Sequence, residues 1–142
     1  MLGDKTLAII KPDAMAAGHQ GKIIDRIIEA GFHVRAARII KMNKTQADGF
    51  YAVHTGKPFF EELTVFMSSG PCMPMVLEKE NAIEEFRTLI GATDPSKAAP
   101  GTIRKDFAKN MGENAVHGSD SDENAEKEVA FFFPTEDILA NL

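Results

Sequence analysis

The chain has 142 residues, of which 16 are Lys or Arg and 21 are Asp or Glu, so its formal net charge is -5 at pH 7. This length suits a single domain over residues 1–142 that buries its core without disulfides or a structural metal, and two full domains would not fit. A mildly acidic chain without a basic block is poorly suited to nonspecific nucleic-acid binding, so nucleic acid is not expected as its main substrate.

Cysteine usage and hydropathy favour a cytoplasmic protein. The single cysteine, Cys72, lies in an apolar stretch, where we expect a buried, inert thiol and no disulfide. The longest early apolar run, residues 7–10, is too short for a signal peptide, and no segment approaches membrane-spanning length. We therefore expect cytoplasmic residence and no membrane partner.

A strand and a helix are predicted at the start of the chain. Residues 6–10 form a compact β-prone run that stops at Lys11-Pro12-Asp13. Since proline removes a ladder donor, we expect a polar loop there. Pairs of isoleucines four residues apart predict a helix over residues 20–30, which Gly31 is suited to end in a left-handed turn.

A second strand and two short helices are predicted next. β-branched residues favour a strand over residues 33–42. Residues 45–54 and 59–68 predict two helices separated by a Gly-Lys-Pro turn, and Thr45 is the expected N-cap of the first.

The third predicted strand, over residues 72–77, contains Pro74. Because a central strand needs the N–H that proline lacks, we expect an edge strand or a bulge there. A helix over residues 81–90 follows, then a long polar loop over 91–101 and a one-turn helix over 102–108. Loops of that length are usually functional.

The last part of the chain predicts a helix over residues 122–128 that runs into the aromatic stretch 129–133. The density of rings in that stretch favours burial, and Pro134 is expected to end the element. The order of elements indicates an α+β protein whose helices pack on an antiparallel sheet. A ferredoxin-like βαββαβ arrangement is the most economical choice.

The run from Asn114 to Ser121 places the imidazole of His117 among small, hydroxylated and amide residues. Its neighbours Gly118 and Ser119 are expected to leave the ring open to solvent or a substrate. An imidazole with an ordinary pKa of about 6.5 is mostly neutral at pH 7, so one ring nitrogen carries a free lone pair. His117 could therefore act as nucleophile, base or metal ligand, and a turn histidine is the alternative.

Any bound phosphate would have to be held by side chains, because neither GxxxxGK[ST] nor GxGxxG occurs. The candidates are Lys11 at a strand end, Arg87 near a helix end, Thr93 in the long loop and Arg104 just beyond it. Each of them alone is more typical of a solvated surface residue.

Spacing disfavours two other chemistries. The four histidines stand far apart and no HxH or HExxH pattern links them, so we expect no metal held by the protein directly. Ser119 and Asp120 are too close to His117 in sequence for a Ser-His-Asp triad, and no GxSxG motif occurs. A histidine that is itself the nucleophile fits better.

The pattern Asn-x-x-His-Gly-Ser-Asp at residues 114–120 resembles the signature of nucleoside diphosphate kinases. Other segments resemble that family's landmarks in order and spacing, and with them the resemblance covers essentially the whole chain. These segments are Ile10-Lys11-Pro12-Asp13, Lys57-Pro58-Phe59-Phe60, Gly91-Ala92-Thr93-Asp94-Pro95 and Pro100-Gly101-Thr102-Ile103-Arg104.

The resemblance implies a phosphotransferase that moves the γ-phosphoryl group from ATP or another nucleoside triphosphate to a nucleoside diphosphate through a phosphohistidine on His117. The reaction would be ping-pong, since a covalent intermediate lets one pocket serve donor and acceptor in turn. Mg²⁺ would be the cofactor, held mainly by the nucleotide phosphates. The family forms homo-oligomers, tetramers or hexamers built from a shared dimer, and the tail over residues 138–142 does not distinguish them.

The resemblance also implies which residues bind the phosphates and the ribose. Arg87 and Thr93 would hold the inner phosphates, and Arg104 and Lys11 the transferring one. Lys11 would also bind the ribose hydroxyls together with Asn114. Phosphoryl transfer asks a protein mainly for positioning and charge neutralisation, which these side chains suit.

Further roles implied by the resemblance concern the base and the histidine. Phe59 would stack on the base and accept purines and pyrimidines alike, because every base has a π face; a core position is the alternative. Glu128, supported by Ser119, would bond the nitrogen of His117 that does not attack and so set the ring's tautomer and orientation. Tyr51 matches a tyrosine close to the histidine, with an ordinary helix-face aromatic as the alternative.

Two functions of other classes remain open. A regulatory module on the same fold would bind ADP without turnover. A phosphocarrier would form the same labile intermediate but pass the phosphate to another protein.

Overall fold

The structure, a computed structural model, describes residues 3–140. Four strands, β1 (Lys5–Ile10), β2 (His33–Ala37), β3 (Met73–Glu78) and β4 (Val116–Gly118), form one sheet in the spatial order β2-β3-β1-β4. Every pairing between neighbours is antiparallel. The helices packed on this sheet complete a βαββαβ arrangement, so the predicted ferredoxin-like fold is confirmed.

Eight helices lie within the part of the chain that the structure describes. They are α1 (Pro12–Ala16), α2 (Gln20–Glu29), α3 (Lys44–Phe50), α4 (Phe60–Met67), α5 (Ala82–Ile90), α6 (Ile103–Phe107), α7 (Asp122–Phe132) and α8 (Thr135–Ala140), with single 3-10 turns at Ala52–His54 and Pro95–Lys97.

The core lies on both faces of the sheet. Alternate residues of β1 point to opposite sides, and all from Thr6 to Ile10 are buried. Ile10 belongs to a cluster that includes Phe86 of α5 and residues of α2 and α6. Ile9 belongs to a second cluster with residues of α3, α4 and α7. A strand covered on both faces has no polar side to present, which explains its continuous apolar sequence.

Two helix starts differ from the sequence prediction. The polar loop expected after β1 is instead α1, in which Pro12 occupies the first turn, where its missing N–H costs no helical bond. Asn43, not Thr45, caps α3. Its side chain accepts from the Gln46 N–H at 2.8 Å while the Gln46 side chain accepts from the Asn43 N–H at 2.9 Å. This reciprocal pair outcompetes a lone threonine cap.

The prediction that Pro74 lies in an edge strand or at a bulge was wrong. β3 lies between β2 and β1, and the irregularity in its pairing falls opposite Val34 and Ala36. The Pro74 carbonyl accepts from the Arg38 N–H at 3.2 Å, just beyond the end of β2. The N–H and C=O of one strand residue point to the same side. The position of the missing N–H therefore lies on the side of β2, next to the residues that follow that strand. The hydrogen bonds between β3 and β1 do not need it.

Two other boundaries moved. β2 ends at Ala37 rather than continuing to residue 42, and only an isolated bridge between Ile40 and Cys72 extends the pairing. α7 continues to Phe132, and because helical neighbours face different directions, Phe131 is 44% exposed while Phe132 and Phe133 are buried. α8 follows Pro134 and was not predicted; residues 141 and 142 of the tail lie outside the described residues.

Candidate active site

His117 lies in β4 and pairs with Ile9 of β1. The alternative of a turn histidine is therefore wrong. Antiparallel partners point to the same face of a sheet, so the imidazole lies on the side covered by α7. Its side chain is 18% exposed, which leaves part of the ring accessible.

One ring nitrogen of His117 is held by α7. Nε2 lies 2.7 Å from Glu128 Oε1, and the Ser119 hydroxyl donates to the same oxygen at 2.9 Å. The Ser119 hydroxyl in turn accepts from the Leu7 N–H at 3.1 Å, which ties the group to the centre of the sheet. Nδ1 makes no hydrogen bond to any residue between 3 and 140, so it is the nitrogen with an available lone pair.

Gly118 and Ser119 were expected to leave the His117 ring open to solvent, but both make other contacts, and Ser119 supports Glu128 as the resemblance implied. Ser119 is fully buried and bonded, so it does not open the ring to solvent. Gly118 is required for helix packing, because a Cβ there would lie 2.8 Å from Phe86 Cδ2 and 3.3 Å from Ile90 Cδ1. Its lack of a side chain lets α5 approach β4, the strand that carries the histidine.

Aromatic rings flank the imidazole at the end of α3. Phe50 and Tyr51 meet the ring edge to face, with centroids 5.6 and 6.4 Å from it. Tyr51 is buried, and its hydroxyl has no hydrogen-bond partner among residues 3–140. Burial, with the negative charge of Glu128 nearby, raises the pKa of Tyr51, so its hydroxyl stays protonated. Its place beside His117 agrees with the role that the resemblance implies, and its packing in the cluster of Ile9 agrees with the alternative of a helix-face aromatic.

Lys11 and Asn114 form a buried polar pair. The Lys11 ammonium donates to Asn114 Oδ1 at 2.8 Å, and both side chains are buried. Burial, together with the charge of Arg104, lowers the pKa of Lys11 to about 8, while the carboxylate of Asp13 acts in the opposite direction. A lysine in this state is still mostly charged at pH 7.

Arg104, at the start of α6, is also buried. Nη1 donates to the Gly91 carbonyl at 3.0 Å and Nη2 to the Val116 carbonyl at 2.9 Å, while Nε is buried without a partner among residues 3–140. Burial and the charge of Arg87 lower the pKa of Arg104 to about 10, which leaves it cationic at neutral pH. The guanidinium is thus fixed against the residue that precedes His117.

Three other sequence candidates are exposed. Arg87 on α5 and Thr93 in the following loop face solvent. Phe59 is 47% exposed, so the alternative of a core position is wrong. The His54 ring lies 5.2 Å from the Phe59 ring, and the Lys57 ammonium lies 5.8 Å from its centroid. An exposed aromatic ring beside a second ring and a cation suits a stacking partner.

Sequence reasoning missed three residues at this site. Phe50 and His54 carry no local pattern that predicts a neighbour some 60 residues later in the chain. The end of α3 places Phe50 against the imidazole, and the 3-10 turn after it places His54 beside Tyr51. Asp13 was visible as part of Lys-Pro-Asp, but its contact is with Ala115, whose N–H donates to Asp13 Oδ2 at 3.0 Å.

Across residues 3–140 there is no cluster of three or more His, Cys, Asp or Glu side chains that could hold a metal ion. In the same range no helix is both long and apolar enough to cross a membrane.

A ferredoxin-like sheet that carries a partly exposed histidine, with buried cations in the neighbouring segments, is suited to phosphoryl transfer. The model of the nucleoside diphosphate kinase family matches residues 4–138. A nucleoside diphosphate kinase of Salinibacter ruber is 58% identical over 141 residues, which cover 99% of each chain. The chain belongs to the nucleoside diphosphate kinase family, and the resemblance found in the sequence is confirmed.

Solved structures agree with this membership. The nucleoside diphosphate kinase of Aquifex aeolicus superposes with a TM-score of 0.93 at 46% identity and covers 95% of this chain and 98% of its own. A halophilic relative from Halobacterium salinarum, solved in complex with CDP, superposes with a TM-score of 0.90 at 37% identity and covers 95% and 90%. The chain is accordingly a phosphotransferase that acts on nucleotides.

Proposed function

We propose that Nδ1 of His117 accepts the γ-phosphoryl group of a nucleoside triphosphate and passes it to a second nucleoside diphosphate. The observation that carries this proposal is the 2.7 Å contact between Nε2 and Glu128, which leaves Nδ1 without a partner among residues 3–140. With its proton on Nε2, the neutral ring directs its lone pair from Nδ1. The ring nitrogen without a partner is thus the nucleophilic one.

The bonds balance without a proton transfer to the ring. The Nδ1 lone pair forms a bond to the γ-phosphorus while the bond to the bridging oxygen breaks, and the diphosphate leaves with that electron pair. In the second half-reaction a terminal oxygen of another nucleoside diphosphate attacks the phosphorus and restores the neutral ring. The phosphorylated ring carries positive charge, which the carboxylate of Glu128 stabilises, and Ser119 and Tyr51 keep that carboxylate and the ring in place.

Different side chains bind different phosphates of the nucleotide. Arg104 and Lys11 bind the transferring phosphoryl group, and Arg87 with Thr93 binds the inner phosphates from the solvent side. The anchor of Arg104 on the Val116 carbonyl, one residue before His117, supports this assignment. The unpartnered Nε of Arg104 is a buried donor that a phosphate oxygen would satisfy.

The nucleoside lies against Phe59, and its ribose hydroxyls bind Lys11 and Asn114. A stacking ring without contacts to base edges discriminates little, so we expect ATP and other nucleoside tri- and diphosphates to be accepted. The CDP complex of the Halobacterium salinarum relative is consistent with a pyrimidine in such a site.

The donor set suits a metal ion that the nucleotide brings with it. The cluster around the phosphates is cationic, and residues 3–140 supply no group of three metal-binding side chains, so Mg²⁺ would be held mainly by phosphate oxygens. When bound, it neutralises phosphate charge that the protein's cations leave uncompensated. The residues of the chain orient the phosphates and the imidazole.

The remaining features follow the resemblance. We propose one domain over residues 1–142, since both hydrophobic clusters share one sheet. We also propose a cytoplasmic homo-oligomer, a tetramer or a hexamer of dimers, whose main substrates are nucleotides and not nucleic acid.

The test is phosphorylation of the purified chain by γ-labelled ATP and magnesium alone. We expect one acid-labile, alkali-stable phosphate per subunit, no labelling of the His117→Ala variant, and transfer of the label to added dTDP. A regulatory module would bind ADP without exchange, and a phosphocarrier would keep its label when a free nucleoside diphosphate is added. Either result would contradict the proposal.

A further inference from the structure

We infer that Asp13 is a positioning residue of this site: its carboxylate holds the backbone at Ala115, between the acceptors of Lys11 and Arg104, and places a negative charge in the segment that carries Lys11. The inference deepens the proposed function and rests on it, because it concerns a lysine assigned to phosphate binding. Asp13 was not among the residues that the sequence assigned a role.

The geometry at Ala115 requires an external support. Ala115 is buried and has a φ of 71°, a left-handed conformation that disfavours a residue with a Cβ. Its N–H donates to Asp13 Oδ2 at 3.0 Å, and its carbonyl accepts from the Lys11 N–H at 2.9 Å. Both polar groups of this strained residue are thus held by the segment that follows β1.

The strained residue lies between two anchors of the cations. Asn114, immediately before it, accepts from the Lys11 ammonium at 2.8 Å. Val116, immediately after it, accepts from Arg104 at 2.9 Å. A change in the backbone at Ala115 would rotate both acceptors, so the bond from Asp13 orients the two phosphate-binding side chains together.

The hydrogen bond alone does not explain a carboxylate at this position. An amide oxygen would accept from the Ala115 N–H equally well, yet Asp13 keeps a second oxygen, Oδ1, buried and without a partner among residues 3–140. A buried, unpartnered carboxylate oxygen is unfavourable unless a nearby positive charge compensates it.

The charges around Lys11 provide this compensation. Arg104 of α6 repels the ammonium, Asp13 of α1 attracts it, and Asn114 contributes a neutral acceptor. Burial and Arg104 already bring the pKa of Lys11 down to about 8. Without the carboxylate the amine of Lys11 would lose its proton closer to neutral pH. A lysine that binds phosphate must keep that proton at neutral pH.

Two variants separate the charge from the hydrogen bond. Asp13→Asn keeps the acceptor for Ala115 and removes the charge, whereas Asp13→Ala removes both. Asp25→Asn is the matched control, because Asp25 is exposed on α2 and the substitution changes the net charge equally. The readouts are the pH dependence of Lys11 acylation by acetic anhydride, followed by peptide mass spectrometry, hydrogen exchange at the Ala115 amide, and the pH profile of kcat/KM.

In Asp13→Asn we expect acylation of Lys11 near pH 7.5 to rise on the order of threefold and the alkaline limb of kcat/KM to move to lower pH. Protection of the Ala115 amide should stay as in the wild type. Asp13→Ala should add loss of that protection and a fall in kcat that the asparagine variant does not show. Asp25→Asn should change none of these.

If Lys11 of the Asp13→Asn variant were acylated to the same extent as in the wild type, the electrostatic role would be overturned, whether or not Asp13→Ala folds. An unchanged Ala115 amide in Asp13→Ala would overturn the positioning role. Acylation and hydrogen exchange need no turnover, so these results stay separate from a failure of the proposed function, which would show as absent phosphorylation of the wild type.

Discussion

The ammonium of Lys11 lies 2.8 Å from Oδ1 of Asn114, and the two side chains are only 7% and 4% exposed. Burial lowers the pKa of this lysine from 10.5 to about 8. Such a difference disfavours the charged form in the folded protein by about 3 kcal/mol. The site therefore carries an internal cost to stability, which a phosphate-binding role explains.

Lys11→Met should raise stability and remove activity. Loss of the buried charge is offset in part by the unpartnered Asn114 amide, so we expect a net gain of about 1–2 kcal/mol in the free energy of unfolding at pH 7. The unfolded lysine, with the higher pKa, binds more protons than the folded one between about pH 8 and 10.5. Wild-type stability therefore rises in that window and the difference between the proteins should shrink. Denaturant titrations at pH 7 and 9.5 measure the difference in free energy of unfolding between the two proteins. A Lys11→Met variant that is less stable than the wild type at pH 7 would contradict the prediction.

The pH profile of kcat/KM of the wild type should reflect the titration of Lys11. Phosphate binding needs the cation, so kcat/KM should fall as the pH rises through about 8, the pKa of Lys11 in the free protein. Bound phosphates favour the charged form and raise that pKa, so kcat should stay level to higher pH. Steady-state kinetics from pH 6 to 10 provides the measurement, and a kcat/KM that is flat to pH 9.5 would argue against a phosphate role for Lys11.

Glu128→Gln should slow phosphorylation of His117 by about 10- to 100-fold and leave nucleotide binding nearly unchanged. The amide can still accept from Nε2, but it cannot stabilise the positive charge of the phosphorylated ring. Ser119→Ala should have a smaller effect on the rate and destabilise the fold by about 1–2 kcal/mol, since the Leu7 N–H loses its acceptor. Single-turnover labelling and nucleotide titration separate rate from affinity. Equal rates in both variants and the wild type would rule out both the charge stabilisation assigned to Glu128 and the support assigned to Ser119.

Gly118→Ala should destabilise the protein by about 1–3 kcal/mol, because the added methyl group would overlap Phe86. Displacement of β4 from α5 should also reduce the rate of His117 phosphorylation. Gly21→Ala is the control: Gly21 lies in α2 with nothing within 4 Å of the new Cβ, so it should gain about 0.5–1 kcal/mol. Thermal unfolding compares the two, and equal shifts would refute a packing requirement at Gly118.

Phe59→Ala should raise KM for nucleotides about tenfold with little change in kcat, since stacking holds the base and not the reacting phosphate. Its stability should change little because the ring is 47% exposed. Val65→Ala, which truncates an exposed residue of α4, the helix that begins directly after Phe59, serves as the comparison. If both substitutions left KM unchanged, the base would not bind at Phe59.

Much of the fold was predictable because apolar periodicity reports burial directly. The isoleucines of α2 and the uninterrupted apolar run of β1 marked their elements, since α2 buries Ile23 and Ile27 and β1 buries every residue from Thr6 to Ile10. Pro74 was misplaced because a strand's position in a sheet depends on its partners. The cap of α3 was misplaced because Thr45 satisfied a general rule while Asn43 had the better partner in Gln46.

The amino-acid sequence by itself determined the family and singled out His117 as the candidate nucleophile, because His117 stands in a pattern of types and spacings that packing alone would not produce. Only the tertiary structure decided how that residue works: which ring nitrogen is held, why its neighbours are Gly118 and Ser119, and which acid faces Lys11. Those relationships join residues as close in sequence as Lys11 and Asp13 and as distant as Leu7 and Ser119, which are 112 positions apart. Hydrogen bonding and burial act through space, so sequence separation alone does not reveal them.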